Sequence, residues 1–311
     1  MRNLNSNGGS FGLERTQVRT DSSASRAGNG SRCRYHSASS HFHPGKNGHA
    51  IAGKRLDEEL TVAASVQAKL FPSAMPELAG CELAARNRPA FPCGGDYYDV
   101  LPTAEDGEQG PYLLCVADVS GNGLPASLLM SNFQATLRTS LWYRPALKEL
   151  AVLANRLLHA RIPPDRYVTA ILADFEPSTG RCSFVNAGHN GGVLMRADGK
   201  VDVLETTAPP LGLLPDASFL SAQIQFLPGD VLHLYTDGVP EAFNLQGEEW
   251  GEVRLMRCLN RCRHLNPVKI ISKVFEEVDS FAGDAPQHDD ITMLVLKWKG
   301  CTIPCGRGDW Q

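Results

Sequence analysis

No stretch of this 311-residue chain approaches the roughly 20 consecutive apolar residues that a membrane-spanning helix needs, and no apolar signal-peptide core follows the start. The nine cysteines are odd in number and scattered through apolar segments such as Leu114-Cys115-Val116. Cys258 and Cys262, then Cys301 and Cys305, repeat a four-residue step that a zinc site could use, although the usual structural-zinc pattern has tighter pairs. This usage reads as reduced thiols in a cytoplasmic protein rather than a disulfide framework. A Gly-Lys-Ser/Thr phosphate loop, a dinucleotide fingerprint and an internal repeat are all missing. The body is also short of positive charge. Residues 1–55 hold nine Lys/Arg and two Asp/Glu, whereas the rest holds 21 basic and 32 acidic residues. An acidic body argues against a nucleic-acid partner, since phosphate backbones call for a basic surface.

What is present is an ordinary globular composition, 42% hydrophobic and 21% charged. Residues 1–53 are rich in Ser, Gly, Asn, Arg and His and are expected to be a disordered basic tail. Their Arg/Ser bias also resembles an organelle transit peptide. Over 54–72, Leu56, Leu60, Ala63, Gln67 and Leu70 fall at helical spacing and Pro72 stops the run. Such a helix either packs on its own domain or pairs with a second copy. Residues 73–299 then alternate. Strands are expected at Cys81–Asn87, Tyr97–Pro102, 111–119, Tyr167–Phe175, Arg181–Asn186, Val193–Arg196, Val201–Leu204, 218–227, 230–236 and 290–299. Helices are expected at 124–142, 146–160, 251–262 and 267–281. Hairpin-linked strands interrupted by two helix pairs predict an α+β fold, a four-layer αββα sandwich of two mainly antiparallel sheets flanked by helix pairs. Residues 300–311 form a tail to which we assign no role.

Acids stand at the ends of the apolar strands, where acids are disfavoured. They are Asp96 after Gly94-Gly95, Asp118 in "VADVSGNG", Asp237 in "LYTDGV" and the pair Asp289-Asp290 in "QHDDIT". Each alone suits a turn. Gathered at the ends of packed sheets they would repel one another unless hard divalent cations neutralised them. Two such ions about 4 Å apart share a bridging water and make it a hydroxide nucleophile near neutral pH, an arrangement for hydrolysing a phosphoester.

The stretches "AASVQAKLFPSAMP", "FPCGGDYYDVLP", "VADVSGNGLPASLLM", "RYVTAILADFEPSTGRCSFVNAGHN", "PPLGLLPDASF", "LPGDVLHLYTDGVPEAFN" and "HDDITMLVLK" occur in this order. Through them the chain resembles the metal-dependent PPM-type serine/threonine protein phosphatases, in the bacterial SpoIIE/RsbU-like branch. The resemblance implies two Mn²⁺ or Mg²⁺ ions. Asp96 would bridge them. Asp118 with the Val119 carbonyl, Asp237 and Asp289 would complete the centre, with Asp290 the less certain member of its pair. Asp96 and Asp118 would carry the catalysis, a metal-bridging hydroxide attacking a phosphoserine or phosphothreonine. Gly94 and Gly95 would let the backbone turn tightly and leave room around Asp96. Asn122 stands where the family commonly has His, and His189 in "NAGHN" has either a structural or a catalytic-support role. The implied substrate is a phosphorylated anti-sigma-factor antagonist. The helix at 54–72 resembles the family's linker helix, implying a homodimer and a signal delivered by a separate activator protein. Two other readings stand beside this one. One is a weak or inactive phosphatase-fold binding module in a partner-switching pathway; the other is a hydrolase of small phosphoesters.

Overall fold

The run Leu113–Ala117 is apolar at every position because layers cover both of its faces. In the computed structural model, which describes residues 46–103 and 110–300, it is the core of β3 (Tyr112–Val119). Leu113, Cys115 and Ala117 face a layer of helices, while Leu114 and Val116 face a second sheet. One sheet has the order β2 (Tyr97–Pro102), β3, β4 (Val168–Glu176), β5 (Arg181–Ala187), β8 (Ala222–Gln225). The other runs β1 (Cys81–Arg88), β10 (Ile291–Trp298), β9 (Val231–Tyr235), β6 (Gly192–Met195), β7 (Val201–Val203). Every pairing between named strands is antiparallel.

Helices α2 (Gly123–Leu141) and α3 (Leu147–His159) cover the outer face of the first sheet through Phe133, Leu137, Leu150 and Leu158. Helices α4 (Glu252–Cys262) and α5 (Pro267–Ala282) cover the other through Leu255, Leu259, Ile270 and Val274. The expected αββα sandwich is therefore the fold. Cys258 and Cys262 are buried free thiols of α4.

The expectations differ from the structure in two places. Helix α1 spans Lys46–Gln67 and ends in a 3₁₀ turn, Ala68–Leu70. It thus starts before residue 54, Ala50-Ile51-Ala52 carrying the helix across Gly48 and Gly53. The strand expected at 218–227 shrinks to β8, because Phe219 turns into the core under α3 instead of joining the ladder. The tail up to residue 45 and the one from residue 301 lie outside the described residues.

His233, central in β9, is fully buried with neither ring nitrogen hydrogen-bonded, and burial pushes its pKa down to about 3. The folded value lies below the ordinary 6.5. The unfolded chain therefore binds the proton first as pH falls. Stability from this group is whole above the unfolded value and is lost as pH drops toward the folded one, at up to about 1.4 kcal/mol per pH unit. Replacing His233 by Leu is expected to stabilise the fold at pH 7 by about 1–3 kcal/mol. It is also expected to flatten the loss between pH 6.5 and 4.5. Urea titrations at several pH values measure both, and an unchanged slope would refute the assignment.

Candidate active site

Strand direction brings the acids together. Tyr97 of β2 lies opposite Ala117 of β3, so Asp96, just before β2, and Asp118 leave the same end of one sheet. In the other sheet Tyr235 of β9 lies opposite Met293 of β10, so Asp237, Asp289 and Asp290 share one end. The two ends meet at Asp96, which is buried. Its Oδ2 accepts hydrogen bonds from Thr236 Oγ1 (2.8 Å) and Thr292 Oγ1 (2.5 Å), both from the opposite sheet. Asn87 Nδ2 donates to Thr292 Oγ1 at 2.8 Å and orients that hydroxyl. Sequence reasoning passed over these threonines, although each sits within two residues of an acid, in "YTDG" and "DDIT".

Asp290 has a different employment from its neighbours. Its carboxylate accepts from the backbone N–H groups of Ala90 (2.8 Å), Gly95 (2.7 Å) and Asp96 (3.4 Å), which ties down the loop before β2. Asp289 Oδ1 accepts from the N–H of Asp290 at 2.8 Å. The glycines follow from this packing. A Cβ on Gly94 would overlap the Asp290 carboxylate, and one on Gly95 would lie 2.9 Å from the Val119 carbonyl oxygen and 3.5 Å from Asp118 Oδ1. Neither glycine has a left-handed φ. The expected tight turn is therefore not what they provide; they provide room.

Burial raises the pKa of Asp96 well above the carboxylate range, and the charges of Asp118 and then Asp290 add to it. Asp118 is raised to about 8, first by burial and then by Asp237, Asp289, Asp290 and Glu241. Burial also raises Asp237 and Asp289. Acids from both sheets thus oppose one another's ionisation, the electrostatic condition that a bound cation relieves.

Among the described residues no three His, Cys, Asp or Glu side chains are drawn tightly around one point. The space beside Gly95, bordered by the Val119 carbonyl and Asp118 Oδ1, supplies oxygen donors of the right kind.

His189 is buried, with Nε2 donating to the Tyr235 carbonyl (3.1 Å) and Nδ1 accepting from Thr169 Oγ1 (2.9 Å). Burial lowers its pKa to about 4. It is a neutral bracket between β4 and β9. Asn122 is exposed at the N-cap of α2 and makes no side-chain capping bond. Asp99 faces away from the acids, bonded to the Tyr97 hydroxyl and to Arg138 at 2.8 and 3.1 Å. Gln67, the last residue of α1, pairs with Gly94 twice. Its Nε2 donates to the carbonyl (2.7 Å) and its Oε1 accepts from the N–H (3.0 Å). Outer contacts of this kind are worth roughly 10–100-fold in metal affinity or activity. Gln67→Ala is accordingly expected to weaken Mn²⁺ binding about tenfold by calorimetry, with little loss of stability; unchanged affinity would show that α1 does not set the loop.

Comparison with known proteins bears on the family and the fold. Residues 108–299, more than half of the chain, match the family described as stage II sporulation protein E (SpoIIE). Protein IcfG of Synechocystis sp. is 25% identical over 266 residues, covering 76% of this chain and 41% of IcfG. The chain therefore spans about two fifths of that relative. Phosphoserine phosphatase RsbU of Bacillus subtilis is 24% identical over 251 residues, covering 79% of this chain and 72% of RsbU. The solved SiaA-PP2C domain of Pseudomonas aeruginosa superposes with a TM-score of 0.70 at 19% identity, over 80% of this chain and 99% of that domain, which speaks for the fold. The sandwich and the motifs point the same way, and the chain belongs to the SpoIIE family, in the RsbU-like branch of the PPM-type phosphatases.

Proposed function

We propose that this chain is a metal-dependent protein serine/threonine phosphatase acting on a phosphorylated regulatory protein of the anti-sigma-factor-antagonist type. The observation that carries the reading is the meeting of Asp96 and Asp118 of one sheet with Asp237 and Asp289 of the other, each held at raised pKa. Asp96, Asp118, the Val119 carbonyl, Asp237 and Asp289 would hold two Mn²⁺ or Mg²⁺ ions. When bound, these would supply Lewis acidity and neutralise the phosphoryl oxygens.

The chain's own residues do the rest. Thr236 and Thr292 fix one oxygen of Asp96, Oδ2. Asp290 keeps the Gly94–Asp96 backbone from relaxing away. His189 ties β4 of one sheet to β9 of the other at that end and, being neutral, adds no charge that would compete with a cation. Asn122 can donate to a phosphate oxygen but cannot protonate a leaving group, which predicts a slower enzyme than a His would give.

The proposal places the protein in the cytoplasm, as a homodimer through residues 54–72 that answers to a separate activator. Leu56, Val62 and Val66 of α1 are exposed, as such a pairing requires, and among the described residues no helix is long and apolar enough to cross a membrane. The test is phosphate release from p-nitrophenyl phosphate in Mn²⁺. Wild type is expected to turn over, chelator to stop it, and Asp237→Asn to lose at least about 100-fold. Tight binding of two ions with no turnover would leave a binding module instead.

A further inference from the structure

A cleft of about 270 Å³ borders the acid cluster on the α5 side. Asp289 and Gly238 belong to both. Its floor is apolar, formed by the buried Ala242, Val278 and Ile291. Its volume falls below the range of about 300–1,000 Å³ typical of small-molecule sites, and is sized for one or two side chains. The wall is built rather than incidental. Gln287 Nε2 donates to the carbonyls of Arg88 (2.8 Å) and Asp289 (2.7 Å), so that wall and acid move as one unit. The rings of Phe243 and His288, which also line it, lie tilted at 50° with centroids 4.6 Å apart.

The polar rim argues about the occupant. Arg88 donates to Asp279 Oδ1 at 2.7 Å, so its charge is already matched, and Asp289 adds a further negative charge. An anionic ligand such as a nucleotide would meet net repulsion. Arg88 Nε is shielded from solvent and so from the cleft as well, its guanidinium lying 5.2 Å from the Phe275 ring centroid.

We propose that this cleft takes an apolar side chain of the phosphoprotein substrate, from a residue flanking the phosphorylated one. The proposal rests on the phosphatase reading above. A chain that delivers a phosphoester to Asp96 and Asp289 crosses a border of the cluster, and here that border is concave, apolar and preformed. The cleft therefore sets sequence preference without taking part in the chemistry.

Two cleft-filling variants, Ala282→Phe and Ala285→Phe, test it, with full-length protein in Mn²⁺. The probes are p-nitrophenyl phosphate and a pool of phosphoserine peptides randomised at the flanking positions. Wild type is expected to favour Leu, Met or Phe at one flanking position. Each variant should erase that preference and raise KM for the best peptide at least tenfold, with p-nitrophenyl phosphate turnover held within twofold. Absence of an apolar preference in wild type overturns the proposal, as does its persistence in both variants. Loss of p-nitrophenyl phosphate turnover in both variants leaves the wild-type preference as the deciding readout. Wild type inert toward both probes would overturn the phosphatase reading and this proposal with it, whereas turnover of both probes with an unaltered preference overturns the proposal alone.

Discussion

Asp96→Asn is expected to cut Mn²⁺-dependent phosphate release by at least about 10³-fold, while the metal-free variant stays as stable as wild type or becomes more so. The two halves of the result separate function from structure. Asp96 is buried beside Asp118 and Asp290, and its pKa is raised by burial and by both charges. Asparagine keeps an oxygen to accept from Thr236 and Thr292 and sheds the charge that burial and its neighbours oppose. Folding therefore loses nothing. What is lost is the negative charge at the cluster, and with it the stabilisation a bound ion would confer, about 2.7 kcal/mol at 100 times its dissociation constant. Thermal melts with and without Mn²⁺ would show wild type shifting and the variant not. A variant retaining a tenth or more of the activity would remove Asp96 from the centre of the chemistry.

Asp290→Ala is expected to act in the opposite way, costing about 3–5 kcal/mol of stability along with activity. Three backbone N–H groups, those of Ala90, Gly95 and Asp96, lose their acceptor. Each such group left shielded costs about 1–3 kcal/mol, which outweighs the relief of repulsion on Asp96. Gly94→Ala should be harmful for a related reason, since its Cβ would collide with the same carboxylate. The pair should then be strongly non-additive. Once Asp290 is alanine the space is open, and adding Gly94→Ala should cost little, giving an interaction energy of about 1–3 kcal/mol in a urea-denaturation cycle. Additive losses would mean that the loop is held by something other than this contact.

These cases show what could be read from the chain and what could not. The strand ends were legible because β periodicity is short-range and an acid after an apolar run stands out; Asp96, Asp118, Asp237 and Asp289 surfaced that way. The sandwich was legible because hairpin turns and helix pairs are local signals. The division of labour within Asp289-Asp290 was not, since it depends on N–H groups some 200 positions away. The place of His189 depends on Thr169 and Tyr235, which nothing in "NAGHN" announces. Gln67 reads as one more residue on an amphipathic helix until its amide is found against Gly94.

The sheet order carries a consequence for synthesis. β10, the last strand, lies between β1 and β9 and pairs with β1 along its whole length, from Cys81 opposite Trp298 to Arg88 opposite Ile291. A nascent chain emerging from the ribosome can therefore complete the N-terminal half of its sandwich but not the other sheet. Asp96 waits without Thr292, and the cluster without Asp289, until translation has passed residue 298. Closure over so long a separation is slow, and it couples competence to completion. A copy cut short before Ile291 lacks β10 altogether, and with it the pairing that joins β1 to β9.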